Sequence, residues 1–131
     1  MIYAVIDTNV IVSALITKNS EAATIHVIRA VLNGQVVPVY NKAILREYEE
    51  VLKRKKFHLD ESVVDSMISY FMAFGVEEEQ IHTDLAFQDE DDRVFYEVSL
   101  SNDDAYLVTG NLKHYPRTIK VLTPSEFVKL L

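Results

Sequence analysis

IYAVID, residues 2–7, is a run of five apolar residues that ends in an acid. A continuous apolar run of this length is typical of a strand buried on both faces, as in a parallel sheet. A carboxylate directly after such a strand is costly to bury unless another group pairs with it. We therefore predict a strand buried on both faces at residues 2–6 and take Asp7 as the first candidate functional residue. The alternative is that Asp7 only caps a following helix.

Downstream of this strand, helix-like and strand-like segments alternate. Apolar residues at three-to-four spacing predict a helix from Ser20 to Leu32, with Ser20 as N-cap and Gly34 as the stop. Residues 36–40 resemble a short strand, whose Pro38 indicates an end or edge position in the sheet. The remaining predicted elements are a helix capped by Asn41, a helix from Asp60 to Gly75 with Val63 and Met72 facing inward, a helix near Arg93 to Ser101, strands at 105–109 and 119–122, and a terminal helix opened by the capping box Thr123–Glu126.

This alternation indicates an α/β fold with a mainly parallel central sheet. The 131 residues, 49% of them hydrophobic, suffice for one domain with a core and not for two, so we assign residues 1–131 to a single domain. The low content of glycine and proline argues against a repeat, fibrous or disordered protein. The absence of cysteine excludes disulfides, cysteine-ligated zinc and thiol catalysis. No apolar run is long enough for a membrane span and no segment resembles a signal peptide, so we expect a cytoplasmic location.

Charge is distributed unevenly along the chain. The formal net charge of −7 disfavours loose, non-specific binding of nucleic acid. Eight acids and no lysine or arginine lie between Glu77 and Asp92. Basic residues lie instead at 53–56, where they suit the end of a helix, and in a segment that follows a predicted strand and is well placed to meet phosphate. The candidate substrate-binding residues of that segment are Lys113, His114 and Arg117.

Three groups of carboxylates fall where a parallel-sheet protein forms its sites. Asp7 ends the first strand, Glu47 lies at the edge of a buried helical stripe, and Asp89–Asp92 precede a helix. Such sites form beyond the carboxyl ends of strands, where the strand order reverses. The alternative interpretations are that Glu47 is a solvated surface residue and that Asp89–Asp92 only complement the dipole of the helix they precede. If the groups converge, their hard oxygen ligands suit Mg²⁺ or Mn²⁺, which activate water for phosphodiester hydrolysis.

Four motifs, taken in order along the chain, resemble those of the PIN domain family. They are Val5-Ile6-Asp7-Thr8-Asn9-Val10; Glu47 within Leu45-Arg46-Glu47-Tyr48; Asp89-Glu90-Asp91-Asp92-Arg93-Val94-Phe95; and Leu107-Val108-Thr109-Gly110-Asn111-Leu112. More narrowly, the chain resembles the VapC-like toxin components of prokaryotic toxin–antitoxin pairs. The resemblance spans essentially the whole chain and implies a single PIN-like nuclease domain with a three-layer α/β/α arrangement.

The resemblance implies a metal-dependent ribonuclease and assigns roles to particular residues. It makes Asp7, Glu47 and Asp92 the catalytic and metal-ligating acids, with Mg²⁺ or Mn²⁺ as the cofactor. Asn111 falls where many members carry a fourth acid, so it is a neutral candidate metal ligand that leaves one metal or two open. The residues expected to support the site are Asn9, Asp89, Asp91 and Thr109.

The resemblance also implies an RNA substrate, a cognate antitoxin protein and a homodimer or higher oligomer, with no membrane involved. Hydrolysis would leave 5′-phosphate and 3′-hydroxyl ends. A catalytically weak or inactive PIN domain that acts as an RNA- or protein-binding module is the alternative, motivated by Asn111 and the net charge of −7. A phosphatase of the haloacid dehalogenase type needs a second acid where Asn9 stands, and a receiver domain needs a different placement of acids, so both rank lower.

Overall fold

A five-stranded, all-parallel sheet organises the computed structural model, which describes residues 1–131. Its strands are β1 (Ile2–Ile6), β2 (Val36–Tyr40), β3 (Val76–Glu77), β4 (Ala105–Val108) and β5 (Val121–Leu122), in the order β3-β2-β1-β4-β5. The helices are α1 (Thr8–Ile16), α2 (Ala23–Leu32), α3 (Lys42–Leu52), α4 (Glu61–Phe74), α5 (Glu90–Ser99) and α6 (Pro124–Val128), with 3₁₀ turns at Lys55–Phe57 and Leu112–His114. The predicted α/β fold with a parallel central sheet is confirmed.

The strand order reverses beside the central strand β1. The chain adds β2 and β3 on one side of β1 and then returns to add β4 and β5 on the other side. Ile6 at the end of β1 pairs with Val108 at the end of β4. Asp7 and Thr109, the next residue of each strand, therefore emerge together at the point where open α/β sheets form their binding crevice.

Helices flank the sheet in two groups. α2 packs against α1, α6 and β2, whereas α4 packs on β2, α5 packs on β1 and β4, and α3 contacts both α4 and α5. Tyr48 of α3 is fully buried edge-on to Phe71, and its hydroxyl donates to the carbonyl of Ile6. This contact holds α3, and with it Glu47, beside the end of β1. No helix combines the length and the hydropathy that a membrane crossing requires.

The starts of α3, α4 and α6 agree with the prediction, and in each of them a side chain caps the first turn. Asn41 and Asp60 each accept a backbone N–H of their helix at 2.8 Å. Thr123 and Glu126 form the predicted capping box of α6. Gly34 adopts a φ of 84°, the left-handed conformation that glycine allows after the end of a helix. These local signals act within one helical turn, so the sequence alone suffices to predict them.

Residues 8–22 differ most from the prediction. The sequence pattern does not predict α1, TNVIVSALI, because β-branched residues dominate it and no side chain caps its start. The predicted N-cap at Ser20 is wrong, since α2 begins at Ala23. Thr17 and Asn19 each accept the backbone N–H two residues further on, and these bonds hold the segment in turns instead of helix.

The edges of the sheet also differ from the prediction. Pro38 is not at an edge, because β2 lies between β1 and β3. β3 pairs only with Val39 and Tyr40, so Pro38 has no strand partner on that side. β3 has two residues, too few to show a pattern. β5 is shorter than the predicted strand at 119–122, and Ile119 is 89% exposed.

Two helices bury different residues or begin elsewhere than predicted. Val63 and Met72 of α4 are exposed, because this helix packs through a narrow stripe only. α5 begins at Glu90 and not near Arg93, because Asp89 caps it by accepting the N–H of the residue two positions on. The earlier start places the acids of this segment in the first helical turn.

Candidate functional site

Asp7 is anchored at the end of β1 by three side-chain donors. It is only 4% exposed. Its Oδ2 accepts hydrogen bonds from the hydroxyl of Thr109 at 2.8 Å, the hydroxyl of Tyr115 at 2.9 Å and Nδ2 of Asn9 at 3.2 Å. None of these bonds uses Oδ1. Although Asp7 occupies the N-cap position of α1, its side chain makes no capping bond, so the alternative that it serves only as a cap is wrong.

The ends of β1 and β4 are tied together by the residues around Asp7. Asn9 accepts the backbone N–H of Gly110 at 3.0 Å, and the hydroxyl of Thr109 accepts the N–H of Asn111 at 3.0 Å. A Cβ at position 110 would lie 3.2 Å from Oδ1 of Asn9, so glycine permits this close approach. Asn9 and Thr109 thus hold both the carboxylate of Asp7 and the loop after β4.

Asp92 reaches the same place from the first turn of α5. Its Oδ2 lies 3.0 Å from Nδ1 of His114, and its Oδ1 lies 3.5 Å from the hydroxyl of Tyr115. Tyr115 therefore contacts both Asp7 and Asp92, although the two acids are far apart in sequence. Tyr115 could not be predicted from the sequence, because a tyrosine is ordinarily a packing residue and its neighbours along the chain do not indicate this contact.

A cavity of about 670 Å³ opens beside these acids. Seven of the predicted site residues line it: Asp7, Asn9, Glu47, Asp89, Asp92, Asn111 and His114. Thr8 also lines it, and its hydroxyl is a buried side-chain oxygen without a hydrogen-bond partner. Because buried polar groups are nearly always paired, this hydroxyl indicates a place for a ligand or a water molecule.

Four predicted site residues lie outside this cavity. Thr109 is fully buried beneath it, against Asp7. Asp91 is exposed, and its contribution to the helix start is its backbone N–H. Lys113 borders an adjoining cavity of about 330 Å³ that shares Asn111 and His114 with the first. The structure does not bring Arg117 to either cavity.

Burial and mutual repulsion disfavour ionisation of the carboxyl groups that line the cavity. Burial raises the pKa of Asp7 above its usual value, against the opposing effect of its hydrogen bonds. Burial and then the charge of Asp7 raise the pKa of Asp92, and burial and then the charge of Asp91 raise the pKa of Glu47. The pKa of Tyr115 is raised even more, by burial and by the two carboxylates, so its hydroxyl stays protonated as a donor.

The donor set suits a hard divalent cation that retains water ligands. Carboxylate and amide oxygens are the ligands that Mg²⁺ and Mn²⁺ prefer. No three acidic or histidine side chains lie close enough together to hold one ion. Mg²⁺, however, is usually bound through one or two carboxylates with several waters. Asp7 and Asp92, joined through Tyr115, fit that mode, while Glu47 and Asn111 line the same cavity.

The segment before α5 is held by a second buried carboxylate, which the sequence analysis did not predict. Glu97 is 1% exposed and accepts hydrogen bonds from Gln80 and from both the N–H and the hydroxyl of Thr83. Arg93 bonds Glu97 as well as the carbonyls of Thr83 and Leu85. Although burial opposes it, these donors lower the pKa of Glu97 to about 2. Glu97 and Arg93 have a structural role, since neither lines the cavity. They hold the segment of chain that leads to Asp89.

Comparison with known proteins identifies one family. A family model described as PIN domain matches residues 3–113, which include all four motifs and the carboxyl ends of β1 and β4. No curated protein and no solved structure matches the chain.

Proposed function

This chain belongs to the PIN domain family, whose members are generally nucleases, and from that premise we propose that it is a metal-dependent endoribonuclease. Its reaction is hydrolysis of RNA phosphodiester bonds with Mg²⁺ or Mn²⁺, and its biological role is that of the toxin in a toxin–antitoxin pair. The observation that supports this most strongly is the convergence of Asp7 and Asp92 on the hydroxyl of Tyr115, beside a cavity lined by further acids.

Some residues of the site would bind the cation, and others orient the carboxylate of Asp7. A bound Mg²⁺ or Mn²⁺ would activate water and offset the charge of the phosphate. Asp7 and Asp92 would hold it, with Asn111 and Glu47 available to its water ligands or to a second ion. Thr109, Asn9 and Tyr115 hold the Asp7 carboxylate in one orientation through its Oδ2, which leaves Oδ1 for the ligand.

Two side chains, His114 and Lys113, are placed to receive the phosphate of the substrate. The start of α1, whose residues Thr8 and Asn9 line the same cavity as His114, adds a helix dipole that favours negative charge. His114 lines the cavity and lies against Asp92, and Lys113 borders the adjoining cavity. A phosphodiester between these groups lies next to the acids that would hold the cation.

Substitution of Asp92 tests the proposed nuclease activity, and substitution of Asp91, a neighbouring acid in the same helical turn, is the control. We expect Asp92→Asn to lower Mg²⁺-dependent cleavage of labelled RNA by at least about a hundredfold, because it removes one of two carboxylate ligands. Asp91→Asn, at an exposed position outside the cavity, should leave the rate within about twofold of wild-type. Equal rates for the two variants, or cleavage that persists in EDTA, would contradict the proposal.

The toxin role is supported by the resemblance of the four motifs and by the acidic cavity. An antitoxin would place arginine or lysine against these carboxylates, which are strong acceptors for charge-assisted hydrogen bonds. We also propose a homodimer, which sedimentation would reveal as twice the 15.0 kDa chain mass. Expression of the variants in a bacterial host tests the toxin role. If nuclease activity causes growth arrest, the host should grow when it expresses Asp92→Asn and should arrest when it expresses Asp91→Asn. If overexpression alone causes the arrest, both variants should arrest growth.

A binding module without catalysis is the second candidate. It is favoured by Asn111, which adds no charge, and by the absence of three acids close enough to ligate one ion. In that case Asp92→Asn would leave RNA binding unchanged, and purified wild-type chain would show no metal-dependent cleavage to lose.

A further inference from the structure

The acidic cavity continues into an apolar channel between α1 and the end of α3. Its walls beyond the acids are Val12 and Ile16 of α1, Val51 of α3 and the ring of Phe57. Asn9 and Ile16 lie at opposite ends of one helical face, about 10 Å apart along the axis of α1. The channel is therefore long enough to receive a flat group attached to whatever is bound at the acids.

The lining of this cavity contains no lysine or arginine. Neutralisation of phosphates by basic side chains supplies most of the non-specific affinity of nucleic-acid-binding proteins. A chain with a net charge of −7 and an acidic cavity has little of that affinity to offer. If RNA binds at the acidic cavity, its bases must therefore supply the affinity that its phosphates do not. The apolar channel next to the acids is a surface suited to a base.

We propose that this channel binds one unpaired nucleobase of the RNA, next to the phosphodiester that is cut, against the ring of Phe57. The inference rests on the proposed ribonuclease function and specifies its substrate as single-stranded at the cut. A nucleobase has a flat apolar face and a polar edge. The channel offers both kinds of partner, because Ser13 and Thr17 lie among its apolar walls. Their hydroxyls already bond Thr24 and the N–H of Asn19, and each hydroxyl has capacity for one more hydrogen bond.

Basic residues at the far end of the channel complement this assignment. Nζ of Lys56 lies 5.1 Å from the centroid of the Phe57 ring. Lys53 and Arg54 are paired with Asp65 and Glu50, whereas Lys55 and Lys56 are exposed and take part in no ion pair. An RNA strand that leaves the channel past Phe57 therefore meets cations that are not already neutralised. A base in a duplex is stacked and paired, so it cannot enter such a channel.

The test combines substitution of Phe57 in the protein with removal of single bases from the substrate. Cleavage of a single-stranded oligonucleotide with one mapped site is compared with cleavage of versions that carry an abasic residue at each flanking position. In wild-type, one abasic position should lower kcat/KM by about tenfold to a hundredfold, the effect expected from loss of one stacked base. Phe57→Ala should lower kcat/KM for the intact oligonucleotide by a similar factor and remove the difference between intact and abasic substrates.

Two further variants control for folding. Phe57→Trp keeps a stacking surface and should restore the dependence on the base. Phe74→Ala truncates an aromatic residue that is 66% exposed on α4, outside the cavity, and should behave as wild-type. The inference is overturned if the abasic effect is the same in Phe57→Ala as in wild-type, while cleavage itself stays metal-dependent.

A binding measurement separates this inference from the proposed activity. Fluorescence anisotropy of the same labelled oligonucleotides, with Ca²⁺ in place of Mg²⁺, reports occupancy of the channel without turnover. Weaker binding of the abasic oligonucleotide by wild-type but not by Phe57→Ala supports the channel, even where the wild-type chain cleaves no RNA. Equal binding of both oligonucleotides by wild-type contradicts it.

Discussion

Replacing Asp7 with asparagine is expected to abolish metal-dependent RNA cleavage while leaving the chain folded. Asp7 is the one acid held by three side-chain donors at the end of the central strand. Loss of its charge removes the carboxylate on which the cation depends, so we expect kcat/KM to fall by at least about a thousandfold, or about 4 kcal/mol of transition-state stabilisation. Single-turnover cleavage of labelled RNA with Mg²⁺, at equal concentrations of both proteins, measures this.

The same substitution should not lower stability, which distinguishes it from a structural defect. Because burial raises the pKa of Asp7 in the fold, the chain loses stability as the pH rises above the ordinary pKa of an aspartate, where the unfolded chain ionises this group and the folded chain resists it. Asparagine carries no charge and its oxygen can accept the same donors. In EDTA at pH 7, the Tm of Asp7→Asn should equal or exceed that of wild-type.

Added Mg²⁺ provides the complementary control for Asp7. A cation that binds only the folded chain raises Tm. Wild-type and Asp103→Asn, a variant of an exposed loop acid, should both gain Tm on addition of Mg²⁺, whereas Asp7→Asn should not. A Tm for Asp7→Asn in EDTA well below that of wild-type would assign Asp7 a structural role instead.

Replacing Glu97 with glutamine is expected to cause the largest loss of stability among the acids. Its pKa of about 2 lies below the usual value of 4.5, so the folded state favours the ionised form by about 3 kcal/mol. That stability is fully present above pH 4.5 and is lost as the pH falls towards 2. Urea unfolding should therefore show wild-type more stable than Glu97→Gln by about 3 kcal/mol at pH 7, with the difference shrinking below pH 4.5.

Glu90→Gln is the matched control for Glu97. Glu90 also bonds Arg93, from the first turn of the same helix, but it is exposed. Exposed ion pairs contribute little to stability because solvent screens them. Glu90→Gln should unfold close to wild-type at every pH. A pH-independent difference between Glu97→Gln and wild-type would mean that packing, and not charge, is what Glu97 supplies.

The carboxylates of the site illustrate how far sequence reasoning reaches. Asp7 could be singled out because an acid after a buried strand is costly to leave unpaired. The cluster Asp89–Asp92 could be singled out because four successive acids exceed what a helix start needs, but only the family resemblance picked Asp92 from it. Tyr115 could not, since nothing in a tyrosine's neighbours along the chain indicates that it will contact two acids. The same holds for Glu97, whose partners Gln80 and Thr83 lie in a segment with no regular pattern.

The sequence by itself determined the class of fold, the buried first strand, the capped starts of α3, α4 and α6, and the candidate acids of the site. These depend on burial periodicity, local caps and charge, which act over a few neighbouring residues. Only the tertiary structure decided which of those acids meet: Asp92 faces the cavity while Asp91, one residue earlier, does not. It also decided that Tyr115 joins Asp92 to Asp7 and that apolar residues extend the cavity to Phe57. The physical reason is that these contacts join residues distant in the chain, and the order in which the strands pair sets them.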